Sequence, residues 1–198
     1  MKYLPEKKQI ILDRELSDLD IFVMGFLKLL EKYTDYVVIS GYVSIVLGRA
    51  RATEDIDVFI KPLSKEKFSQ FYNELKLNGF WCLNAESEEE IFSYLTDKLA
   101  VRFAKVNTSI PNFEIKFPKD ALNKETFNDS LTIIFPEGKI KTSSIEMQIA
   151  FKRYYLSSDK DVDDALHLEE LFKGMLNLNK INKYKEQIKS TYKLKNVK

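Results

Sequence analysis

Two aspartates one residue apart, Asp55 and Asp57, lie in a short apolar segment that otherwise has the composition of a β-strand. Acidic residues are depleted in strands. Side chains at positions i and i+2 of a strand point to the same face, so these two carboxylates repel each other unless a cation neutralises them. Hard divalent ions such as Mg²⁺ bind such oxygens, usually together with substrate phosphates. The alternative is a loop or N-cap aspartate beside a surface aspartate.

A turn at Ser40-Gly41 precedes these acids and follows the apolar residues 37–39. A strand, a glycine turn and a helix N-terminus together form a corner at which backbone N–H groups and the helix dipole favour an anion. Glycine allows a phosphate to approach the backbone closely, and the serine hydroxyl can donate to it. We therefore expect Ser40 and Gly41 to bind phosphate, although a Ser-Gly pair is also routine in tight turns.

A third acid, Glu114, lies at the centre of the segment NFEIKF. A glutamate at the centre of a strand usually faces either solvent or a metal ion. The alternation of the segment also fits a half-exposed strand on which Glu114 and Lys116 both face water. Both interpretations stay open at this point.

These residues resemble the signature of the nucleotidyltransferase superfamily, in which Gly-Gly or Gly-Ser after a strand precedes two acids that alternate with apolar residues. The form Arg-x-Thr-x-Asp-Ile-Asp is most similar to the minimal nucleotidyltransferases of the abortive-infection (AbiEii-like) toxin type. The resemblance covers roughly residues 36–173, and its matching residues are Arg51, Thr53, Asp55, Asp57, Ser144, Glu146, Lys152, Lys160, Asp161 and Asp164. One departure is Tyr42, which stands where the family has a small residue and is expected to crowd a phosphate.

The resemblance implies a nucleotidyltransferase that moves a nucleotide from an NTP to a protein, RNA or small-molecule acceptor. It implies Mg²⁺ or Mn²⁺ held by Asp55, Asp57 and Glu114, with Glu114 also able to take the proton of the acceptor. Ser40, Gly41, Arg51, Lys152 and Asp161 are the expected nucleotide-binding residues, and Lys152 is also counted with the three acids as catalytic. Thr53 is expected to fix the start of the acidic strand. The toxin of a toxin–antitoxin pair, with an antitoxin protein as partner, is the first expectation.

Lys152 also has a physical interpretation, since it interrupts an apolar helical face formed with Ile145, Ile149 and Leu156. A lysine in such a place extends outward or meets an anion. Asp161 and Asp164 could orient it. For Asp164 we favour instead an acid that complements the helix dipole, whereas Asp161 is left open.

Two other functions are carried forward. The first is a non-catalytic nucleotidyltransferase-like module that binds nucleotide or protein, which Tyr42 favours and the three acids oppose. The second is modification of a small molecule such as an antibiotic. His167, the only histidine, is expected to be structural or to lie at the surface because it sits between two leucines of a helix.

The predicted fold class is α/β (α+β), a nucleotidyltransferase-fold mixed sheet flanked by helices, with a helical C-terminal segment. Residues 1–142 are expected to form the core and residues 143–198 to pack on it as one structural unit. The predicted elements are helix 17–33, strand 37–40, helix 42–48, strand 55–60, helix 64–78, strand 80–83, helix 86–95, strands 101–106, 112–117, 131–135 and 139–142, and three helices from residue 144, broken near 157–158 and 177–179.

The totals exclude several classes. Of 198 residues, 44% are hydrophobic, enough for a sizeable core, and the net charge of +1 gives no overall field for nucleic acid, although the lysine-rich last twenty residues allow a local patch. Cys82 is the only cysteine, so the chain has no internal disulfide, which fits a cytoplasmic location. No apolar run approaches the ~20 residues that span a bilayer and no signal peptide is recognised, so no membrane partner is expected.

Overall fold

The structure, a computed structural model, describes residues 1–193; the end of the predicted helical and lysine-rich C-terminus, residues 194–198, lies outside the described residues. The strands are β1 (Lys2–Leu4), β2 (Gln9–Ile11), β3 (Tyr36–Val38), β4 (Asp55–Ile60), β5 (Phe80–Cys82), β6 (Val101–Lys105), β7 (Asn112–Lys116), β8 (Ser130–Phe135) and β9 (Gly138–Ser143). The helices are α1 (Asp18–Leu30), α2 (Gly41–Val46), α3 (Lys65–Leu77), α4 (Glu88–Thr96), α5 (Ala121–Asn128), α6 (Ile145–Phe151), α7 (Asp159–Leu171) and α8 (Leu178–Tyr192), with a 3₁₀ turn at Pro5–Lys7 and a π-helical turn at Lys152–Leu156.

All nine strands join one mixed sheet in the order β1-β2-β8-β9-β3-β4-β7-β6-β5. Three neighbouring pairs are parallel, namely β2 with β8, β3 with β9 and β4 with β7. The other pairs are antiparallel, including the β6–β7 hairpin that the sequence predicts. The fold class is therefore the predicted one, a mixed sheet flanked by helices.

One face of the sheet is covered by α1, α3 and α4 through aromatic packing. Phe26 of α1 stacks on Phe113 of β7 with ring centroids 3.9 Å apart, and it meets Phe71 of α3 at 6.1 Å. Phe92 of α4 lies 5.4 Å from Phe68 of α3. Because side chains alternate along a strand, Glu114 faces the other side of β7 from Phe113.

The opposite face of the sheet meets the C-terminal helices. Leu122 of α5, Met147 and Ala150 of α6, and Tyr184 and Ile188 of α8 form a small buried cluster. Apolar residues of α6, α7 and α8 also join the main core with residues of the sheet, among them Ile149, Leu168 and Ile181. The predicted division of the chain at residue 142 stays a prediction.

Local signals set most of the predicted elements. Ser17 begins α1 with a capping box, in which its hydroxyl accepts from the Asp20 backbone at 3.2 Å and the Asp20 carboxylate accepts from the Ser17 backbone at 2.9 Å. Strand β4 has the bounds that the sequence predicts, and the helical C-terminal part is broken near the two predicted places. These features depend on neighbours within a few residues, which explains why the sequence alone reveals them.

Strands β1 and β2 and helix α5 were not predicted, and four strands, β3, β5, β6 and β7, end one or two residues earlier than expected. The short strands β1 and β2 exist because β2 pairs in parallel with β8, more than a hundred residues later in the chain. Helix α5 begins at an Asp120 cap that accepts from the Asn123 backbone. The strand predicted at residues 37–40 ends at Val38, because Ser40 turns away into α2. Within residues 1–193, none of the helices is both long and apolar enough to cross a membrane.

Candidate active site

The acids of the sequence pattern lie together on one face of the sheet. In the parallel β4–β7 pair, Asp57 is opposite Glu114 and Asp55 is opposite Asn112. Asp55, Asp57 and Glu114 thus share a face, since opposite residues of paired strands point the same way and residues i and i+2 do too. The side chains of Asp57 and Glu114 are 18% and 15% exposed, so neither simply faces water.

Two cations that the sequence analysis did not place in the site neutralise Asp57 and Glu114. Lys116 Nζ lies 3.1 Å from Asp57 Oδ1 and 3.1 Å from Glu114 Oε1. Arg102 donates from Nη2 and Nε to Glu114 Oε2, at 2.9 and 3.1 Å. The alternation of NFEIKF already predicts that Lys116 and Glu114 lie on the same strand face. Arg102, in contrast, is brought opposite Glu114 only by the register of the β6–β7 hairpin.

The electrostatics of the acids differ. Burial raises the pKa of Asp57, the charges of Glu114 and Asp55 raise it further, and Lys116 only partly opposes this. Burial also acts to raise the pKa of Glu114, but Lys116 and Arg102 together outweigh it and hold that pKa below its usual value. The two pKa values thus shift in opposite directions, because two cations hold Glu114 and only Lys116 holds Asp57.

The Ser40-Gly41 turn is built as a strained corner. Ser40 has φ 63° and ψ −136°, a conformation that favours glycine. Gly41 leaves room for Arg51, because a Cβ at residue 41 would lie 2.3 Å from Arg51 Nη2 and would move that guanidinium. Residues 40 and 41 are therefore the two positions of this turn that restrict the size or conformation of the side chain.

Tyr42 does not crowd a phosphate, so that expectation was wrong. Its ring is fully buried in the main core, and its hydroxyl donates to Asp20 Oδ1 at 2.6 Å. The physical reason is the one-residue offset: the glycine-type conformation is at Ser40, which turns the side chain of residue 42 away from the corner.

Arg51, Lys152 and Asp164 form a buried ion cluster. Arg51 Nη2 and Lys152 Nζ lie 3.0 and 2.8 Å from Asp164 Oδ2, and Arg49 Nε is 3.7 Å from Asp164 Oδ1. The favoured interpretation of Asp164, a helix-end acid that complements the dipole, was wrong, because its side chain is completely buried among cations. Asp161 lies at the edge of this cluster, with Oδ1 3.8 Å from Lys152 Nζ and a hydrogen bond from Ser158.

A pocket of about 280 Å³ lies between the sheet and the C-terminal helices. Ser40, Asp57 and Lys152 all line it, and Lys116 and Lys119 add positive charge. Aromatic and other residues complete the wall, among them Phe59, Phe151, Tyr155 and Tyr192. Among the described residues, five predicted site residues do not line this pocket: Asp55, Glu114, Gly41, Arg51 and Asp161. Asp55 and Glu114 continue the acid row beyond Asp57, Gly41 adjoins the lining residue Ser40, and Arg51 and Asp161 belong to the ion cluster around Lys152.

The donor set fits one divalent ion better than two. Within residues 1–193, the Asp55 carboxylate makes no hydrogen bond or ion pair, and Asp57 Oδ2 accepts no hydrogen bond. Both oxygens of Glu114, in contrast, are held by Lys116 and Arg102. Over the same part of the chain, no three His, Cys, Asp or Glu side chains are grouped so that they could hold a metal ion. Asp55 and Asp57 fit a metal as they stand, and Glu114 does not.

Two further candidates have structural roles. Thr53 Oγ1 donates to the Asp55 carbonyl at 2.9 Å and fixes the start of β4, as expected. His167 Nε2 lies 3.1 Å from the Leu47 carbonyl, so the only histidine links α7 to the end of α2, away from the acids.

No protein-family model matches the chain, and no curated protein is significantly similar to it in sequence. Solved structures do resemble it. The antigenic nucleotidyltransferase-like protein from Paracoccidioides brasiliensis is 14% identical, with 86% of each chain covered and a TM-score of 0.50. The lincosamide antibiotic adenylyltransferase LnuA, bound to lincomycin, is 17% identical over 80% of this chain and 99% of that chain, with a TM-score of 0.52. The antibiotic-resistance factor ANT(2″)-Ia in complex with adenylyl-2″-tobramycin is 14% identical over 87% of this chain and 97% of that chain, with a TM-score of 0.56.

At these identities the likeness concerns the fold. It agrees with the mixed sheet flanked by helices. The chain has a nucleotidyltransferase-like fold.

Proposed function

We propose that this protein is a nucleotidyltransferase that transfers a nucleoside monophosphate from an NTP to an acceptor hydroxyl and releases pyrophosphate. One observation carries the proposal: Ser40 of the phosphate-type corner, Asp57 of the acid row and Lys152 of the C-terminal segment line a single pocket. These residues come from three distant parts of the chain. Pockets in which polar groups and a group with a shifted pKa converge are typical of active sites.

The residues of the pocket would divide the work. The Ser40 hydroxyl and the Gly41 backbone N–H would hold phosphate oxygens. Lys152 would balance phosphate charge, positioned by Asp164, with Asp161 next to it. Arg51 is turned toward Asp164 instead of the pocket, so its predicted role as a phosphate clamp becomes one of holding the turn against α7.

Asp55 and Asp57 would hold Mg²⁺ or Mn²⁺, which when bound neutralises phosphate charge and lowers the pKa of an acceptor hydroxyl. In the transfer, an acceptor oxygen forms a bond to the α-phosphorus while the bond from that phosphorus to the bridging oxygen of the β-phosphate breaks. Pyrophosphate leaves, and the hydroxyl proton passes to solvent water or to the predicted base, Glu114, while Asp57 stays ionised as a metal ligand. The resemblance alone supports Glu114 as a third metal ligand and as the base, and these roles stay predictions.

The charge of the pocket suits the nucleotide and does not select an acceptor. Lys116, Lys119 and Lys152 line it together with Asp57 and Asp120, but Lys116 pairs with Asp57 and Glu114, and Lys152 pairs with Asp164. These lysines can balance the charge of bound phosphates, and RNA, protein and small molecules remain the candidate acceptors. The predicted toxin role and the antitoxin partner have no structural support beyond the resemblance and stay predictions.

The test is incubation with each α-labelled NTP, Mg²⁺ or Mn²⁺ and a cell extract, with label on RNA, protein and small molecules read separately. We expect transfer from at least one NTP by the wild type and loss of transfer, on the order of 10²-fold or more, in Asp57→Asn. Asp97→Asn is the matched control, because it removes an exposed acid beyond α4 and should leave transfer unchanged. Equal transfer by the wild type and Asp57→Asn would refute the proposal.

A non-catalytic binding module is the second candidate. Tyr42 no longer favours it, because that ring is buried in the core. The ion pairs of Lys116 and Arg102 do favour it, since they occupy Glu114 without any ligand. Nucleotide binding with no transfer to any fraction of the extract would support this module over the enzyme.

A further inference from the structure

We propose that Lys116 is a built-in cation between Asp57 and Glu114, so that the acid row takes one divalent metal ion, on Asp55 and Asp57, instead of two. The inference rests on the proposed function for its relevance to catalysis, but it concerns metal binding and can be tested without transfer. Lys116 would supply the positive charge that a second metal ion would otherwise bring to the acid row.

The geometry of Lys116 supports this position. Its Nζ is equally distant, at 3.1 Å, from one carboxylate oxygen of Asp57 and one of Glu114. Each of these two carboxylates therefore already gives one oxygen to a cation of the chain itself. Lys116 reaches them from its own strand, because it lies two residues after Glu114 on the same face of β7.

The surroundings hold the ammonium there. The Lys116 side chain is 22% exposed, and its Nζ also lies 5.8 Å from the centre of the Phe59 ring. A lysine in such a place stays charged only if anions surround it, and the carboxylates of Asp57 and Glu114 both lie 3.1 Å from its ammonium. Moving Nζ away would leave the partly buried Asp57 carboxylate without its ion-pair partner, beside a Glu114 held only by Arg102.

Arg102 makes the exclusion of a second ion stronger. Its guanidinium holds Glu114 Oε2 by two hydrogen bonds, so the second oxygen of Glu114 is also engaged. A metal ion at Glu114 would have to displace an ammonium and a forked guanidinium contact together. The free oxygens of the acid row are instead those of Asp55 and Asp57 Oδ2, as described above.

Lys116 also borders the pocket that holds Ser40 and Lys152. Its ammonium can therefore contact a phosphate of the bound nucleotide while it remains between the two acids. A fixed ammonium would neutralise phosphate charge without having to be recruited from solution.

The experiment is equilibrium dialysis of the intact protein against Mn²⁺ alone, with bound ions counted per chain. We expect one ion for the wild type, two for Lys116→Met, one for the double variant Glu114→Gln/Lys116→Met, and none for Asp57→Asn. The conservative Lys116→Arg keeps the positive charge and should stay at one. Lys116→Gln, whose amide can still donate to the carboxylates, is the second variant if Lys116→Met does not fold; it should also gain an ion.

A second readout is the metal-dependent shift of the melting temperature, since an ion that binds only the folded state stabilises it. Without metal, Lys116→Met should melt below the wild type, and Mn²⁺ should raise its melting temperature by more than that of the wild type.

Two ions on the wild type, or a count of one on both Lys116→Met and Lys116→Gln, would overturn the inference and leave the proposed function standing. No ion on the wild type would count against the metal site of the proposed function, and hence against this inference as well.

Discussion

Lys152 Nζ donates to Asp164 Oδ2 at 2.8 Å, and both side chains are buried almost completely. Lys152 ends α6 and Asp164 lies on α7, so the pair joins two helices at the wall of the pocket. Arg51 shares the same carboxylate oxygen at 3.0 Å, which ties the loop before β4 to this joint. One buried aspartate thus sets the position of a pocket lysine and of the loop that precedes the acids.

Removal of Asp164 should be strongly destabilising. Asp164→Ala leaves Lys152 and Arg51 buried without their anion, and breaking a buried pair in this way costs about 3–5 kcal/mol. Asp161→Ala is the matched control. The carboxylate of Asp161 lies 3.8 Å from Lys152 Nζ, so its removal breaks no close ion pair. Urea unfolding of both variants measures the difference. A loss in Asp161→Ala as large as that in Asp164→Ala would contradict the central position of Asp164.

Gly41 should be coupled to Arg51. The Cβ of Gly41→Ala would lie 2.3 Å from Arg51 Nη2, so the guanidinium has to leave its place near Asp164. We expect a loss of about 1–3 kcal/mol in the free energy of unfolding, as for other overpacked sites. In an Arg51→Ala background the same change should cost much less, with a coupling energy on the order of 1 kcal/mol. Additive losses in this double-mutant cycle would show that Arg51 does not occupy the space above Gly41.

The strained backbone of Ser40 should lower the free energy of unfolding. A non-glycine residue at φ 63° and ψ −136° stores strain of about 1–3 kcal/mol, whereas glycine adds about 0.5–1 kcal/mol of backbone entropy cost. Ser40→Gly should therefore stabilise the fold by about 1 kcal/mol, and Ser40→Ala, which keeps the Cβ, should not. If the hydroxyl binds phosphate, both variants lose NTP affinity in calorimetry. A less stable Ser40→Gly would mean that the hydroxyl itself stabilises the turn.

Tyr42 should matter for folding and not for nucleotide. Tyr42→Phe removes a buried hydrogen bond to the Asp20 carboxylate and should lower the free energy of unfolding by about 1.5–3 kcal/mol, the range for bonds to charged groups. The ring does not line the pocket, so the NTP dissociation constant should be unchanged in calorimetry. Weakened nucleotide binding by a folded Tyr42→Phe would restore the contact with phosphate that the sequence suggested.

Asp20 should contribute to stability at neutral pH and lose that contribution in acid. Burial opposes its ionisation, but hydrogen bonds from Arg14, Tyr42 and Ser17 outweigh burial and hold the pKa of Asp20 below its ordinary value of 3.8. The unfolded chain therefore binds this proton more tightly, and the free energy of unfolding falls as the pH drops below 3.8. Asp20→Asn should be less stable at pH 7 and should show a shallower loss between pH 5 and about pH 3. Parallel curves for both proteins would contradict this linkage.

Much of the candidate site could be predicted from short segments. The alternation of DIDVFI placed Asp55 and Asp57 on one strand face, and β4 has the predicted bounds. NFEIKF was recognised as a strand with an unusual central acid. The breaks of the C-terminal helices were also local, and they put Asp161 near the start of α7, whereas Lys152, expected within a continuous helix, follows the end of α6.

The missed features are those that need partners far apart in the chain. The sequence analysis placed Tyr42 at the phosphate corner, where the family has a small residue. The positive φ of Ser40 shows that the glycine-type backbone conformation lies at residue 40 instead. Asp164 was taken for a helix-end acid because dipole complementarity is a local argument, whereas its burial comes from the loop of Arg51 and from Lys152.

The sequence by itself determined which residues carry charge, the strand and helix faces on which they lie, and the mixed character of the fold, because periodicity and capping act over a few residues. Only the tertiary structure decided that Asp57 lies opposite Glu114, that Lys116 lies between them, and that Asp164 is enclosed by cations. Strand register and burial depend on contacts between distant segments, and the strength of a charge–charge interaction depends on that burial. The charges could be read from the sequence, but their pairing could not.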